Sequence, residues 1–148
     1  MSIAIVSNSP DETFKAGEDL GVSLTAGDLV LLTGGLGAGK TLFTKGVMNA
    51  FGFEIDEVTS PSFTLVNLYR AHRSDVYHID LWRLDQASNA AEAVGLDEIL
   101  ENPNAVTIIE WADRLAKFSA VNNTIRITIE GDGDEPRRIE IEGTSLAD

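Results

Sequence analysis

The sequence predicts an α/β fold: a mixed sheet, parallel at its centre, with helices covering its faces in three layers. Three features point there. Leu29–Thr33 and Ala105–Ile109 are apolar at nearly every position, the pattern of strands covered on both sides. Segments with helical apolar spacing alternate with those strands. Near the C-terminus, Ile125, Ile127 and Ile129, then Ile139 and Ile141, occupy every second position, as in an antiparallel hairpin with one wet face.

Taken in order, Ser2–Val6 is a short strand and Ser7–Pro10 a turn. Asp11–Leu24 is a helix, with apolar Phe14, Leu20 and Leu24 and carboxylates near its start, where the dipole favours them. Thr25–Asp28 turns into the Leu29–Thr33 strand. After a glycine-rich loop, Lys40–Phe51 is a helix with Leu42, Phe43, Val47 and Phe51 at helical spacing, stopped by Gly52. Phe63–Tyr69 and Val76–Leu81 form a hairpin around polar Arg70–Asp75. Ala90–Leu100 is a short acidic helix weakened by Gly95. Ala105–Ile109 is the second covered strand, and Trp111, Leu115 and Phe118 share a helical face after it. Gly131–Pro136 turns between the last two strands.

Length and composition bound the function. The 148 residues suit one domain, 1–148, which buries about 70% of its unfolded surface. Eleven Lys and Arg against 24 Asp and Glu give a net charge of −13, which argues against unaided binding of a phosphodiester backbone. Without cysteine, disulfides, thiolate catalysis and Cys-ligated metals are excluded. No apolar stretch approaches the ~20 residues of a membrane span, and the N-terminus lacks the pattern of a secretory signal. The expected location is the cytoplasm.

The strongest motif is Gly34-Gly-Leu-Gly-Ala-Gly39-Lys40-Thr41, which fits G-x-x-x-x-G-K-[ST]. At this chain's own Gly, Lys, Ser and Thr frequencies, about 0.004 such matches arise by chance. A covered strand precedes it and a helix follows, the context a phosphate-binding loop requires. Glycines let successive N–H groups of Gly35, Leu36, Gly37, Ala38 and Gly39 converge on an anion, and the helix beginning at Lys40, Thr41 and Leu42 adds the positive end of its dipole. Lys40 reaches the β- and γ-phosphates, and the Thr41 hydroxyl suits Mg²⁺. These features predict a P-loop NTPase fold that binds the phosphates of a nucleotide with Mg²⁺.

Such a loop needs an acid at the end of a neighbouring strand. Glu110 follows the continuously apolar Ala105–Ile109, which suits the sheet centre, and is the preferred metal acid. Asp80 follows Val76–Ile79, a less fully covered strand, and is the second acid, on the metal's water shell or on the attacking water. Thr59-Ser-Pro-Ser62 reads as a turn fixed by Pro61, with a γ-phosphate-sensing switch as the alternative. Trp111 reads as core packing, His72 and His78 as structural, and Arg70 and Arg73 as ion-paired surface residues. Asp132, Asp134 and Glu135 lack the spacing of a calcium loop. Glu92, Asp97, Glu98 and Glu101 form a solvated acidic face.

Together these segments resemble one bacterial family, the ATPase subunit of the machinery that makes threonylcarbamoyladenosine in tRNA (the TsaE family). The resemblance is carried by Gly34–Thr41, Thr59-Ser-Pro-Ser-Phe-Thr-Leu-Val-Asn67 with Tyr69, Tyr77-His-Ile-Asp-Leu-Trp-Arg-Leu84, Gly95-Leu-Asp-Glu98 and Ile109-Glu-Trp-Ala-Asp-Arg114. It implies a mostly parallel P-loop sheet with antiparallel additions and a weak ATPase that works with TsaD- and TsaB-type proteins and touches tRNA only indirectly. By residue, it implies Lys40 on phosphate, Thr41 and Glu110 on Mg²⁺, Asp80 as a second catalytic acid, and Thr59 and Ser60 in a switch-like loop. It also implies Trp111 near the site and Thr13 beside the adenine. Two positions depart from the family pattern: Gly35 stands where Asp is usual, and Leu42 where a second hydroxyl is common.

Rival readings make separate demands. A small-molecule kinase needs a second substrate pocket and an arginine-bearing lid. A GTPase needs Asn-Lys-x-Asp, and no Asn here precedes Lys. A nucleotide-gated scaffold would bind ATP and barely hydrolyse it.

Overall fold

A computed structural model describes residues 2–35, 37–59, 61, 65–84, 94–115 and 123–143. The strands are β1 (Ser2–Ser7), β2 (Leu29–Gly34), β3 (Val66–Arg70), β4 (Asp75–Asp80), β5 (Ala105–Glu110), β6 (Thr124–Glu130) and β7 (Arg137–Gly143). The helices are α1 (Pro10–Ser23), α2 (Lys40–Ala50) and α3 (Leu96–Leu100).

One seven-stranded sheet runs in the order β1-β7-β6-β2-β5-β4-β3. The pairs β6–β2, β2–β5 and β5–β4 are parallel, and the outer pairs β1–β7, β7–β6 and β4–β3 antiparallel. This is the mixed sheet expected, with its parallel part in the middle. Every residue of β5 is buried, as its apolar run predicts.

The pleat sorts side chains onto two faces. Val30, Leu32, Val106, Ile108, Ile125 and Ile127 pack with Ala16, Leu20, Phe43 and Val47 of α1 and α2. Leu29, Leu31, Ile79 and Ile109 pack on the other face against Leu96 of α3 and Ala112. Glu110 continues the parity of Val106 and Ile108, and Asp80 that of Val76 and His78. Both acids therefore project toward the face that carries α2.

Helix α1 starts where Ser9 Oγ accepts the Glu12 amide (3.2 Å) and Pro10 occupies the first turn. It crosses α2 at glycine: a Cβ on Gly17 would lie 2.1 Å from the Phe43 carbonyl oxygen, and one on Gly46 2.1 Å from that of Phe14. The helix that carries the loop lysine is thus held against α1 backbone to backbone.

Four expectations need correction. Among the described residues, the stretch after β5 is a 3-10 turn, Ala112–Arg114, preceded by Trp111 at φ 59°; Phe118 lies outside them. The hairpin strand starts at Val66 because Leu65 adopts φ 69°. Strand β4 is better covered than its alternation suggests, since His78 is fully buried. Arg70 does pair with Asp75 (3.4 Å), but Arg73 caps α1, donating to the carbonyls of Gly21 (2.7 Å) and Leu24 over the Phe51 ring. Positive charge there complements the helix C-terminus. Asp97, Glu98 and Glu101 are solvated as expected, and Ala90–Ala93 lie outside the described residues.

Candidate functional site

The glycine-rich loop joins the end of β2, the central strand, to the first turn of α2. Gly37 (φ 75°) and Gly39 (φ 109°) hold left-handed backbone, the conformation in which successive amides turn to one side. Gly34 passes so close to β6 that a Cβ would sit 2.5 Å from the Ile129 carbonyl oxygen. A Cβ on Gly35 meets nothing within 4 Å, so the loop has room for a larger side chain there. Leu36 lies outside the described residues.

Lys40 opens α2 and is 6% exposed. Its Nζ donates to the carbonyls of Gly34 (2.8 Å) and Gly35 (2.7 Å) and lies 4.2 Å from the centre of the Trp111 ring. Burial lowers its pKa, and the negative fields of Glu110, Asp80 and Asp113 oppose that shift. Thr41, half-buried, is the next residue on the helix.

Parallel pairing sets Asp80 beside Glu110, and Glu110 beside Leu32 at the mouth of the loop. Both carboxylates are nearly covered, 3% and 2% exposed, where strand-end acids are usually solvated. Asp80 Oδ1 accepts the Trp82 amide (2.8 Å), and Glu110 Oε2 meets His78 Nε2 at 2.5 Å. Two residues in strained left-handed backbone flank these acids. Trp111 follows Glu110, and the Leu65 carbonyl accepts the Asp80 amide (2.9 Å). Such positions cost on the order of 1–3 kcal/mol each and collect at functional sites.

On the other side of the loop is a cavity of about 360 Å³. Ser7, Asn8, Ser9, Pro10 and Thr13 form one wall, Gly37–Gly39 and Leu42 the floor, and Gly133–Glu135 with Arg137 the rim. Thr13 is buried and shares a hydrogen with Ser7 Oγ (2.7 Å). Its expected place beside the base therefore adjoins the loop. Trp111 does not line this cavity; it stacks on Lys40 and on Trp82, with ring centroids 4.6 Å apart. Leu42 adds an apolar side chain to the lining of this cavity.

A model of the family described as "Threonylcarbamoyl adenosine biosynthesis protein TsaE" matches residues 7–139. The chain belongs to the TsaE family. Relatives named tRNA threonylcarbamoyladenosine biosynthesis protein TsaE agree. One from Rickettsia conorii is 41% identical over 72% of this chain and 59% of its own length, so the match spans less than two thirds of that relative. One from Treponema pallidum is 35% identical over 87% and 93%, and one from Bacillus subtilis 34% over 88% and 79%. The crystal structure of Bacillus subtilis YdiB superposes with a TM-score of 0.74 at 29% identity, covering 95% of this chain and 84% of that one. The TsaE match includes the loop, both acids, Thr13 and Trp111.

Sequence reasoning missed three residues that the structure brings to this candidate site. Arg137, on β7, donates to the loop carbonyls of Ala38 (3.1 Å) and Gly37 (3.2 Å) and to Gly133 (3.0 Å). Asp113 adds to the field at Lys40. His78, read as structural, grips Glu110. Pairings this distant along the chain leave no local periodicity, although the exposed turn before Arg137 marks a hairpin tip close to some neighbour. Asp132, Asp134 and Glu135 are exposed, as expected of a solvated turn.

Proposed function

We propose that this chain is a Mg²⁺-dependent ATPase of the P-loop type that drives a step of threonylcarbamoyladenosine formation in tRNA. One observation carries the reading. A buried lysine at the start of α2 and two buried carboxylates on adjacent strand ends converge where the glycine loop turns its amides.

The donor set fits Mg²⁺. Thr41 and Glu110 would supply a hydroxyl and a carboxylate, with Asp80 reaching a metal-bound water. Among the described residues no three His, Asp or Glu gather as a self-contained metal cage, and Mg²⁺ at nucleotide sites is held by one or two carboxylates together with phosphates and waters. When bound, the ion would neutralise charge on the β- and γ-oxygens. The chain supplies the rest. Loop amides and the α2 dipole hold the phosphates, and Lys40 exchanges its Gly34 and Gly35 carbonyls for them. Asp80 accepts a hydrogen bond from the attacking water and orients it in line. The Thr13 wall takes the adenosine.

Family membership makes TsaD- and TsaB-type proteins the expected partners, with tRNA contacted through them in the cytoplasm. Among the described residues no helix is long and apolar enough to cross a membrane. Phosphate release with and without these partners tests the proposal. Turnover should be slow alone and rise in their presence, and Lys40→Ala should lower it at least about 100-fold. Wild-type turnover in that variant would overturn the reading, and a phosphorylated small molecule as product would replace it with a kinase.

A further inference from the structure

A chain of hydrogen bonds crosses the buried face between β3, β4 and β5. Tyr69 Oη donates to the Thr59 carbonyl (3.0 Å) and lies 3.3 Å from the Thr59 amide, which donates back to it. The same oxygen accepts from Asn67 Nδ2 (3.2 Å) and is 3.3 Å from His78 Nδ1. The far side of the His78 ring, Nε2, meets Glu110 Oε2 at 2.5 Å. Tyr69 is 6% exposed and His78 fully buried, so the Tyr69–His78 and His78–Glu110 contacts are shielded from water. Phe53 packs on Tyr69 with ring centroids 4.9 Å apart, and Tyr69 on His78 at 5.9 Å.

Two ends of this chain matter. Thr59 is exposed, and Ser60 and Ser62 after it lie outside the described residues, whereas Glu110 is sealed at the sheet centre. Tyr69 has one hydroxyl hydrogen and two neighbours able to take it, the Thr59 carbonyl and His78 Nδ1. A displacement of Thr59 changes the bonds available to His78, and the imidazole fixes which way the Glu110 carboxylate faces. We propose that Tyr69 and His78 are positioning residues that couple the Thr59 backbone to Glu110, so that both adopt their working geometry together. This rests on the ATPase reading above and adds to it a connection between exposed Thr59 and the buried acid.

Tyr69→Phe deletes the hydroxyl and keeps the ring packing. His78→Gln retains a donor toward Glu110 and breaks the link to Tyr69. Nucleotide affinity, steady-state turnover and amide hydrogen exchange of peptides around Thr59 and Glu110 are measured for wild type and both variants, with ADP and with Mg²⁺ plus a non-hydrolysable ATP analogue. In wild type the triphosphate should slow exchange at both peptides relative to ADP. In Tyr69→Phe, protection at the two should no longer rise together, kcat should fall about tenfold, and ADP affinity should stay within about threefold. His78→Gln should uncouple the peptides in the same way. Melting curves confirm that each variant folds; if one does not, the other carries the comparison.

Variants with wild-type kcat and joint protection at both peptides would overturn the coupling alone. Wild-type protein that neither binds nor hydrolyses ATP would instead overturn the reading beneath it.

Discussion

At the scale of single residues, Lys40 combines two opposed demands. Desolvation pushes its pKa down from the ordinary 10.5, while the nearby acids keep it from falling further. As pH rises through the lowered value, the cation is lost from the native protein while the unfolded chain still holds its proton. Nucleotide affinity should therefore weaken at a pH below 10.5. Lys40's own contribution to stability should rise across the window between its lowered value and 10.5, because there the unfolded state binds more protons. Titrations of ADP binding and of denaturant stability against pH, each compared with Lys40→Met, separate the two trends. Arg137 makes a second residue-level case. Its guanidinium ties two loop carbonyls to the β6–β7 turn, and charged hydrogen bonds are worth about 1.5–3 kcal/mol. Arg137→Ala should weaken ADP binding about tenfold, read by displacement of a fluorescent nucleotide. Arg137→Lys should restore little, since an ammonium lacks the fork that spans both carbonyls.

At the scale of elements, local signals were legible where packing follows chain periodicity. The two covered strands and the alternating isoleucines lie as expected, and Lys40–Phe51 matches α2 to within a residue. What escaped depends on contacts between distant segments. Trp111, Leu115 and Phe118 share a helical spacing, yet the positive φ of Trp111 ends regular backbone one residue after Glu110. Arg73 reads as a surface charge until the end of α1, some 50 positions earlier, meets it. Of the candidate site, the loop, Lys40 and both strand-end acids were visible as a motif with its strand context. The hydrogen bond between His78 and Glu110 was not, because it joins neighbouring strands through parallel pairing. The α1–α2 crossing also reverses a familiar preference. Gly→Ala within a helix normally stabilises by about 0.5–1 kcal/mol. Here the added methyl would collide with the Phe43 carbonyl, and Gly17→Ala should instead cost about 1–3 kcal/mol in a urea melt. It should also weaken nucleotide binding, since α2 carries Lys40 and Thr41.

At the scale of the whole molecule, charge decides how the chain meets its surroundings. The net charge of −13 opposes nucleic acid, and partner proteins are the natural contacts for so acidic a surface. The chain alone should show no measurable affinity for tRNA in fluorescence anisotropy at physiological salt, and binding should appear only when its partners are present. The sheet order carries a consequence for biogenesis. The glycine-rich loop leaves β2, whose neighbours are β5 on one side and β6 on the other. Its shape also depends on Ile129 and Arg137. A ribosome that has not yet released β6 and β7 therefore holds a glycine loop without its contacts to Ile129 and Arg137. Capture of a nucleotide by the growing chain would then report that synthesis has passed the β6–β7 hairpin.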